Sequence, residues 1–147
     1  MKNSKKFNDF TIITGTIQDS DYIEAKLLEY NAKAVPFTQN EPLIHMNYVI
    51  KNRDNKVIGG IIALLYSWKI LFIDLLWVDE QYRGYGYGSA LLKKVEDEAK
   101  QMGCTLAHLD TFDFQAKNFY LRHGYAICGE IDNCPPGHKR FSLRKIF

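Results

Sequence analysis

Three short apolar runs follow one another closely in the middle of the chain and constrain its fold most strongly. Residues 46–51, 56–66 and 70–78 are rich in β-branched and large apolar side chains, which favours strands. The segments between them, 52–55 and 67–69, are so short that neighbouring strands must run antiparallel. The third run, ILFIDLLWV, is apolar at almost every position. We therefore expect it to be a central strand that is covered on both faces.

Strand and helix patterns alternate over the rest of the chain. Residues 10–17 are β-branched and predict a first strand, and Ser20 with Asp21 could cap a helix that fades before Pro36. Residues 89–102 place their apolar side chains on one face, which predicts an amphipathic helix. The remaining predicted elements are a strand at 105–111, a short helix at 114–122, and strands at 125–131 and 140–144.

This order of elements, β-α-βββ-α-β-α-ββ, predicts an α/β (α+β) fold. It corresponds to a mixed central β-sheet of about seven strands flanked by helices. No internal repeat or linker divides the sequence, and 147 residues suit one domain, so we expect a single domain over 1–147. Hydrophobic residues make up 46% and charged residues 24% of the chain, which argues against disorder.

Charge and composition narrow the expected partners. The 19 basic and 17 acidic residues nearly balance, so no electrostatic case exists for nucleic acid as the main partner. The basic N-terminus lacks the apolar core of a signal peptide, and no apolar run is long enough to span a membrane. The three cysteines form no CxxC pair and the histidines have no metal-site spacing. We expect a reduced, cytoplasmic protein with no metal and no membrane contact.

Three alternating glycines, Gly84, Gly86 and Gly88, stand between the third run and the amphipathic helix. The first N–H groups of a helix lack internal partners, and glycine lets a ligand approach the backbone closely, so this junction suits phosphate oxygens. Arg83 would add a full positive charge. No lysine follows as in a Walker A loop, and the GxGxG spacing after antiparallel strands does not fit the dinucleotide fingerprint. A loop that merely turns the chain remains an alternative.

Two motifs flank this helix in order. QYRGYG at 81–86 fits [QR]-x-x-G-x-[GA], and AKNFYLRHGY at 116–125 fits A-x-x-F-Y-x-x-x-G-[FY]. In these motifs and in element order, the chain from Phe10 onward resembles the GNAT superfamily of N-acetyltransferases. The resemblance implies the GNAT fold, with acetyl-CoA as co-substrate and direct transfer of the acetyl group to a primary amine of a small molecule in a ternary complex. A non-catalytic acyl-CoA-binding or sensor module on the same fold is the alternative.

The resemblance also implies which residues bind the cofactor. The strand segment around Leu76 and Val78 would pair with the pantetheine arm, and the Val78 N–H would donate to the carbonyl oxygen. One departure is that Asp113 stands where members often carry asparagine, with Gln115 nearby. The expected cofactor-binding residues are Leu76, Val78, Gln81, Arg83, Gly84, Tyr85, Gly86, Gly88, Ser89 and Gln115.

Acetyl transfer needs a deprotonated amine, a stabilised carbonyl oxygen and a leaving thiolate that can be protonated. By resemblance, Tyr120 is the general acid near the sulfur, although it could instead simply pack beside Phe119. Asp74 is the sole acidic residue of the third run and our candidate base, because burial would raise the pKa of its carboxyl. An ion pair with a neighbouring strand is the alternative for Asp74. Weaker candidates for the base are His108, Asp110, Glu41 and a chain of waters.

The acceptor is expected to bind near residues 20–45 and the loop 131–139, whose acidic groups would suit a cationic amine. Proteins of this fold often dimerise, and the last strand offers an edge, so a homodimer is expected by analogy alone. The RGYGYG segment also invites an RNA-binding hypothesis, which the near-neutral charge disfavours.

Overall fold

The structure, a computed structural model, describes residues 10–147. These separate into a unit that ends at Pro36 and a larger unit, Phe37–Phe147. In the first unit, helix α1 (Ile17–Ala34) follows residues 10–16, which form no regular element. The strand predicted at 10–17 is therefore wrong. Its β-branched composition is outweighed by a capping box, in which Thr16 and Asp19 bond each other's backbone N–H and start the helix earlier than predicted.

The larger unit is built on a seven-stranded sheet in the order β1-β3-β4-β5-β7-β6, with β2 also paired to β3. Strands β4 and β5 pair in parallel, and all other pairs are antiparallel. The predicted mixed sheet of about seven strands is confirmed, although the short β1 was missed. The strands are β1 (Leu43–His45), β2 (Tyr48–Lys51), β3 (Val57–Tyr66), β4 (Ile70–Val78), β5 (Leu106–Phe112), β6 (Ala126–Asp132) and β7 (Lys139–Ile146).

Two helices of this unit cover one face of the sheet. Helix α2 (Tyr87–Gln101) buries Leu91, Leu92, Val95 and Ala99 against side chains of β3, β4, β5 and β7. Helix α3 (Lys117–Arg122) adds the buried ring of Tyr120 to the same core. None of the helices in residues 10–147 combines the length and apolar character needed to cross a membrane.

Strand β4 lies between β3 and β5, as its apolar sequence predicted. Its second half, however, is not covered on both faces, since Leu75 is 57% and Trp77 50% exposed. Ile73 is the last buried residue of β4, and it is also the last residue of β4 that pairs with β5. The prediction of an edge at the last strand is wrong as well, because β7 pairs with β5 on one side and β6 on the other.

Candidate functional site

The site is an opening between β4 and β5. The two parallel strands pair only from Ile70–Leu106 to Ile73–Leu109, and their carboxyl ends continue without pairing to each other. A cavity of about 750 Å³ lies there, lined by the second half of β4, the turn before α2, the end of β5, and α3. Clefts at the carboxyl ends of parallel strands are common ligand sites.

A β-bulge places Asp74 at this opening. Ile62 of β3 pairs with Leu75 and Ala63 pairs with Ile73, so Asp74 is an extra residue in β4. The bulge interrupts the alternation of side chains, and the carboxylate lines the cavity while remaining exposed. It makes no hydrogen bond or ion pair with any residue of 10–147. The expected burial of Asp74 is wrong, and with it the desolvation argument for a base.

The backbone of β4 beyond the bulge presents a free edge to the cavity. The Asp79 N–H donates to Ile58 O at 2.9 Å, so residue 79 is bonded to β3. Because the residues of an antiparallel strand alternate, Val78 and Leu76 point their N–H and C=O groups away from β3, towards the opening. A hydrogen bond from Arg83 supports this orientation: its Nε donates to Val78 O at 2.9 Å, on the side away from β3. An extended ligand could therefore pair with the backbone groups of Leu76 and with the N–H of Val78.

The turn before α2 leaves a helix N-terminus open to the same cavity. Gly84 and Gly86 have φ values of 82° and 84°, in the left-handed region that favours glycine. No side chain caps α2, and its first turn holds no acidic residue. The N–H groups of Tyr87, Gly88 and Ser89 have no partner within the described residues. Unpaired N–H groups and the helix dipole together make this end suited to an anion.

Two arginines border the cavity near this helix end. The Nε bond to the β4 backbone fixes Arg83, and its terminal nitrogens make no further bond within residues 10–147. Arg122, on α3, is exposed, and its guanidinium has no partner among the described residues. Arginine matches phosphate well because its planar fork offers several N–H donors. Arg122 was not among the residues expected from the sequence, since the second motif leaves its position unspecified.

Tyr120 brings a hydroxyl group to the opposite wall. Its ring is 6% exposed and meets the rings of Phe119 and Tyr125 edge to face, at centroid distances of 5.1 and 5.6 Å. Its Oη makes no hydrogen bond with any protein group in residues 10–147. Every buried side-chain oxygen in these residues has a hydrogen-bond partner, so the Tyr120 Oη must be accessible to solvent. Burial of the ring raises the pKa of Tyr120 to about 12. The hydroxyl therefore stays protonated at neutral pH.

Eight of the ten expected cofactor-binding residues line the cavity, and Gln81 and Tyr85 do not. Gln81 lies in a 3₁₀ turn, where its N–H donates to Asp79 Oδ1. Tyr85 is 75% exposed and its ring neighbours that of Tyr87. The positions of Gln81 and Tyr85 in the motif did not indicate in which direction their side chains point. The eight that line the cavity are Leu76, Val78, Arg83, Gly84, Gly86, Gly88, Ser89 and Gln115.

The substitution noted at Asp113 has a structural explanation. Its carboxylate accepts hydrogen bonds from His138 Nδ1 and Lys139 N, both at 3.0 Å, and holds the start of β7 instead of lining the cavity. Gln115 does line the cavity, but its Oε1 accepts from Phe112 N at 3.0 Å. Of the two alternatives, Gln115 is thus the residue beside the site.

Two of the weaker candidates for the base already have partners, and the third, Glu41, does not line the cavity. Asp110 lines the cavity, but its carboxylate bonds Arg140 at 2.8 Å and Ser142 at 2.5 Å. His108 bonds the hydroxyl of Tyr66 at 2.9 Å, and burial lowers the pKa of its ring. Of the two described acidic residues that line the cavity, Asp74 is therefore the one whose carboxylate is available to bind a ligand.

Several other lining residues were not assigned from the sequence. Ala116 precedes Tyr120 by four residues and Phe119 directly precedes it; the second motif specifies both residues, so it carried a signal for them. Thr111 and Phe114 lie at the end of β5 and in the following turn, where no pattern identifies them. No residue of the loop 131–139, expected near the acceptor, lines this cavity.

Comparisons with known proteins agree on one family. The profile described as Acetyltransferase (GNAT) family matches residues 15–125. A blasticidin-S acetyltransferase from Streptomyces morookaense is 36% identical over 107 residues, which is 71% of this chain and 77% of that protein. The crystal structure of an acetyltransferase from Bacillus cereus is 38% identical, with a TM-score of 0.84 over 94% of this chain and 98% of the other.

A more distant structure shares the fold. It is described as a putative streptothricin acetyltransferase from Bacillus anthracis in complex with acetyl coenzyme A. It is 23% identical, with a TM-score of 0.62 over 74% of this chain and 65% of the other. At this identity the likeness concerns the fold alone.

Proposed function

The chain belongs to the GNAT family of acetyltransferases, and on that premise we propose that it moves an acetyl group from acetyl-CoA to a primary amine of a small molecule. Its place among acyltransferases follows from the family match over residues 15–125. One observation carries the donor part of the proposal. The uncapped N-terminus of α2 and the free backbone edge of β4 open into one cavity, which suits the phosphates and amide-rich arm of a coenzyme A thioester.

The two ends of the cavity have different chemistry. The N–H groups of residues 87–89, with Arg83 and Arg122, would hold the pyrophosphate. From Val78 to Asp74 the strand spans roughly 13 Å at about 3.3 Å per residue, and this length separates the phosphate end from the bulge. The amide groups of the pantetheine arm would pair with the free edge of β4, which directs the thioester towards the bulge and Tyr120.

Acetyl-CoA supplies the activated acyl group, and the residues of the chain bind and orient the reactants. The amine nitrogen forms the new bond to the carbonyl carbon, the carbon–sulfur bond breaks, and the amine loses one proton. The carbonyl oxygen gains charge as the amine attacks and needs an N–H donor near the bulge. The resemblance assigns this role to the Val78 N–H, but Val78 lies at the phosphate end of the strand, so we assign its N–H to an amide oxygen of the pantetheine arm instead.

Tyr120 would donate a hydrogen bond to the departing sulfur. Its pKa of about 12 lies some 3.5 units above that of a typical thiol at ~8.5, so full proton transfer to the thiolate is uphill by about 5 kcal/mol. A hydrogen bond has no such cost and still stabilises the developing charge. Tyr120 is thus better suited to hydrogen-bond donation than to the complete proton transfer of a general acid.

Asp74 remains our candidate for handling the proton of the amine. Its support is its place at the bulge, its exposure to the cavity and the absence of a partner among residues 10–147. A free carboxylate would attract a protonated amine and could pass its proton to water. The small-molecule acceptor is supported by the relative named for blasticidin S.

An amine panel with acetyl-CoA tests this function. Release of free CoA would be followed with a thiol reagent, and the acetylated amine identified by mass spectrometry. We expect stoichiometric CoA and acetylamide for at least one small amine, and a raised Tm with acetyl-CoA alone. An unchanged Tm at saturating acetyl-CoA would contradict the proposal.

A further inference from the structure

A serine and a histidine connect α3 to the phosphate end of the cavity. Ser89, in the first turn of α2, lines the cavity, and its Oγ lies 2.9 Å from Nε2 of His123. The other ring nitrogen of His123, Nδ1, lies 2.7 Å from the backbone oxygen of Phe119. The His123 ring also packs on the Phe119 ring, at a centroid distance of 4.3 Å. His123 does not line the cavity, so it can affect a ligand there only through Ser89.

The partner of Nδ1 fixes the direction of the whole chain of hydrogen bonds. A backbone oxygen can only accept, so Nδ1 must carry a hydrogen. In the neutral ring, Nε2 is then an acceptor, and the Ser89 hydroxyl must donate to it. A hydroxyl group has a single hydrogen, so none is left for a phosphate oxygen.

Protonation of the ring reverses this direction. Nε2 then carries a hydrogen and donates to the Ser89 oxygen, and the hydroxyl hydrogen is free to point into the cavity. We propose that His123 is a positioning residue that turns the Ser89 hydroxyl onto the pyrophosphate of the donor and takes up a proton as it binds. The inference rests on the proposed function, because it needs a pyrophosphate at this helix end.

Charged groups on all neighbouring elements bear on this step. On α2, Lys93 pairs with Asp97, and Glu96 pairs with Lys145 of β7 at 2.7 Å. On α3, Arg122 has no partner among residues 10–147 and would share the phosphate. Also on α3, Lys117 lies over the ring of Phe141, with its Nζ 4.5 Å from the ring centroid, and Tyr120 stays neutral. A bound pyrophosphate supplies the negative charge that favours protonated His123, so the affinity should be higher at low pH than at high pH.

The experiment compares ligands that differ at the phosphate end. Dephospho-CoA keeps the pyrophosphate but lacks the phosphomonoester, which itself titrates near pH 6. Pantetheine lacks the pyrophosphate. Calorimetric titrations at about pH 5.5 and pH 8, on either side of the usual histidine range, would give Kd values. Buffers of different ionisation enthalpy would give the number of protons taken up.

His123→Gln is the matched variant. A glutamine amide can reach the position of Nε2 and still bond Ser89, but it does not titrate. Because charge-assisted hydrogen bonds are roughly twice as strong as neutral ones, we expect the ratio of Kd at pH 8 to Kd at pH 5.5 to be about 5-fold larger in the wild type. Ser89→Ala should lose the same pH-dependent gain, which keeps the test valid if the histidine variant folds poorly.

Several results would overturn the inference. One is that the ratio of Kd at pH 8 to Kd at pH 5.5 for dephospho-CoA is the same in the wild type and in His123→Gln. Another is that Ser89→Ala keeps the wild-type increase in affinity at low pH. The same pH-dependent difference with pantetheine would also contradict it. If the wild type binds neither CoA nor dephospho-CoA at any pH, the proposed function fails first. Binding without proton uptake leaves that function standing and removes this inference alone.

Discussion

Replacing Tyr120 with phenylalanine separates a chemical role from a packing role. The buried ring packs between Phe119 and Tyr125, and phenylalanine would keep those contacts. The lost hydroxyl bonds no protein group in residues 10–147. The free energy of unfolding should therefore hardly change. Any fall in turnover would then come from the missing hydrogen bond to the sulfur.

The size of that fall follows from the strength of one bond. A hydrogen bond to a charged group is worth about 1.5–3 kcal/mol, which corresponds to a roughly 10- to 150-fold lower kcat. KM for acetyl-CoA should change little, because the bond strengthens only as charge develops on sulfur. In the wild type, ionisation of Tyr120 should not reduce the rate below about pH 11, since its pKa is about 12.

The assay is CoA release at saturating acetyl-CoA and amine, combined with thermal unfolding of each variant. Tyr125→Phe is the control, because the Tyr125 hydroxyl donates to the buried carboxylate of Glu96 at 2.9 Å. It should lose about 1–3 kcal/mol of stability and keep most of its turnover. Wild-type kcat in Tyr120→Phe would refute the role given to this hydroxyl.

Three further substitutions probe the other parts of the account. Gly86→Ala would place a side chain on a residue with φ of 84°, costing about 1–2 kcal/mol of stability, and should raise KM for acetyl-CoA about 10-fold in steady-state kinetics. Asp74→Asn should leave Tm unchanged, because the carboxylate has no partner in residues 10–147, and lower kcat/KM for the amine about 100-fold. Glu96→Gln would break the buried pair with Lys145, and urea denaturation should show a loss of about 3 kcal/mol.

The sequence was sufficient for the elements that follow simple periodicity. The bounds of β4 were predicted correctly, and α2 begins only two residues before its predicted start, because their apolar patterns agree with their final surroundings. The segment 10–17 failed because local composition favoured a strand, while the Thr16–Asp19 capping box decided the outcome. Side-chain hydrogen bonds of this kind are hard to weigh against β-propensity.

The site was predictable where a motif fixes the backbone and less so where side-chain direction matters. The glycine pattern marked the turn before α2, and Gly84 and Gly86 adopt left-handed backbone angles there. The exposure of Asp74 could not be foreseen, because the bulge depends on the register with β3 and leaves no mark in an apolar run. Likewise, Tyr85 and Arg122 both occupy positions that their motifs leave unspecified, yet of these two residues only Arg122 lines the cavity.

Calorimetric titration of the wild-type chain with acetyl-CoA examines the coenzyme A site without requiring the acceptor to be known. We expect one acetyl-CoA to bind per chain with a Kd between about 1 μM and 1 mM, the range in which KM values of enzymes usually lie, and Gly86→Ala to bind it more weakly. Absence of binding to the folded wild type, or equal affinity in Gly86→Ala, would contradict a coenzyme A site between β4 and β5.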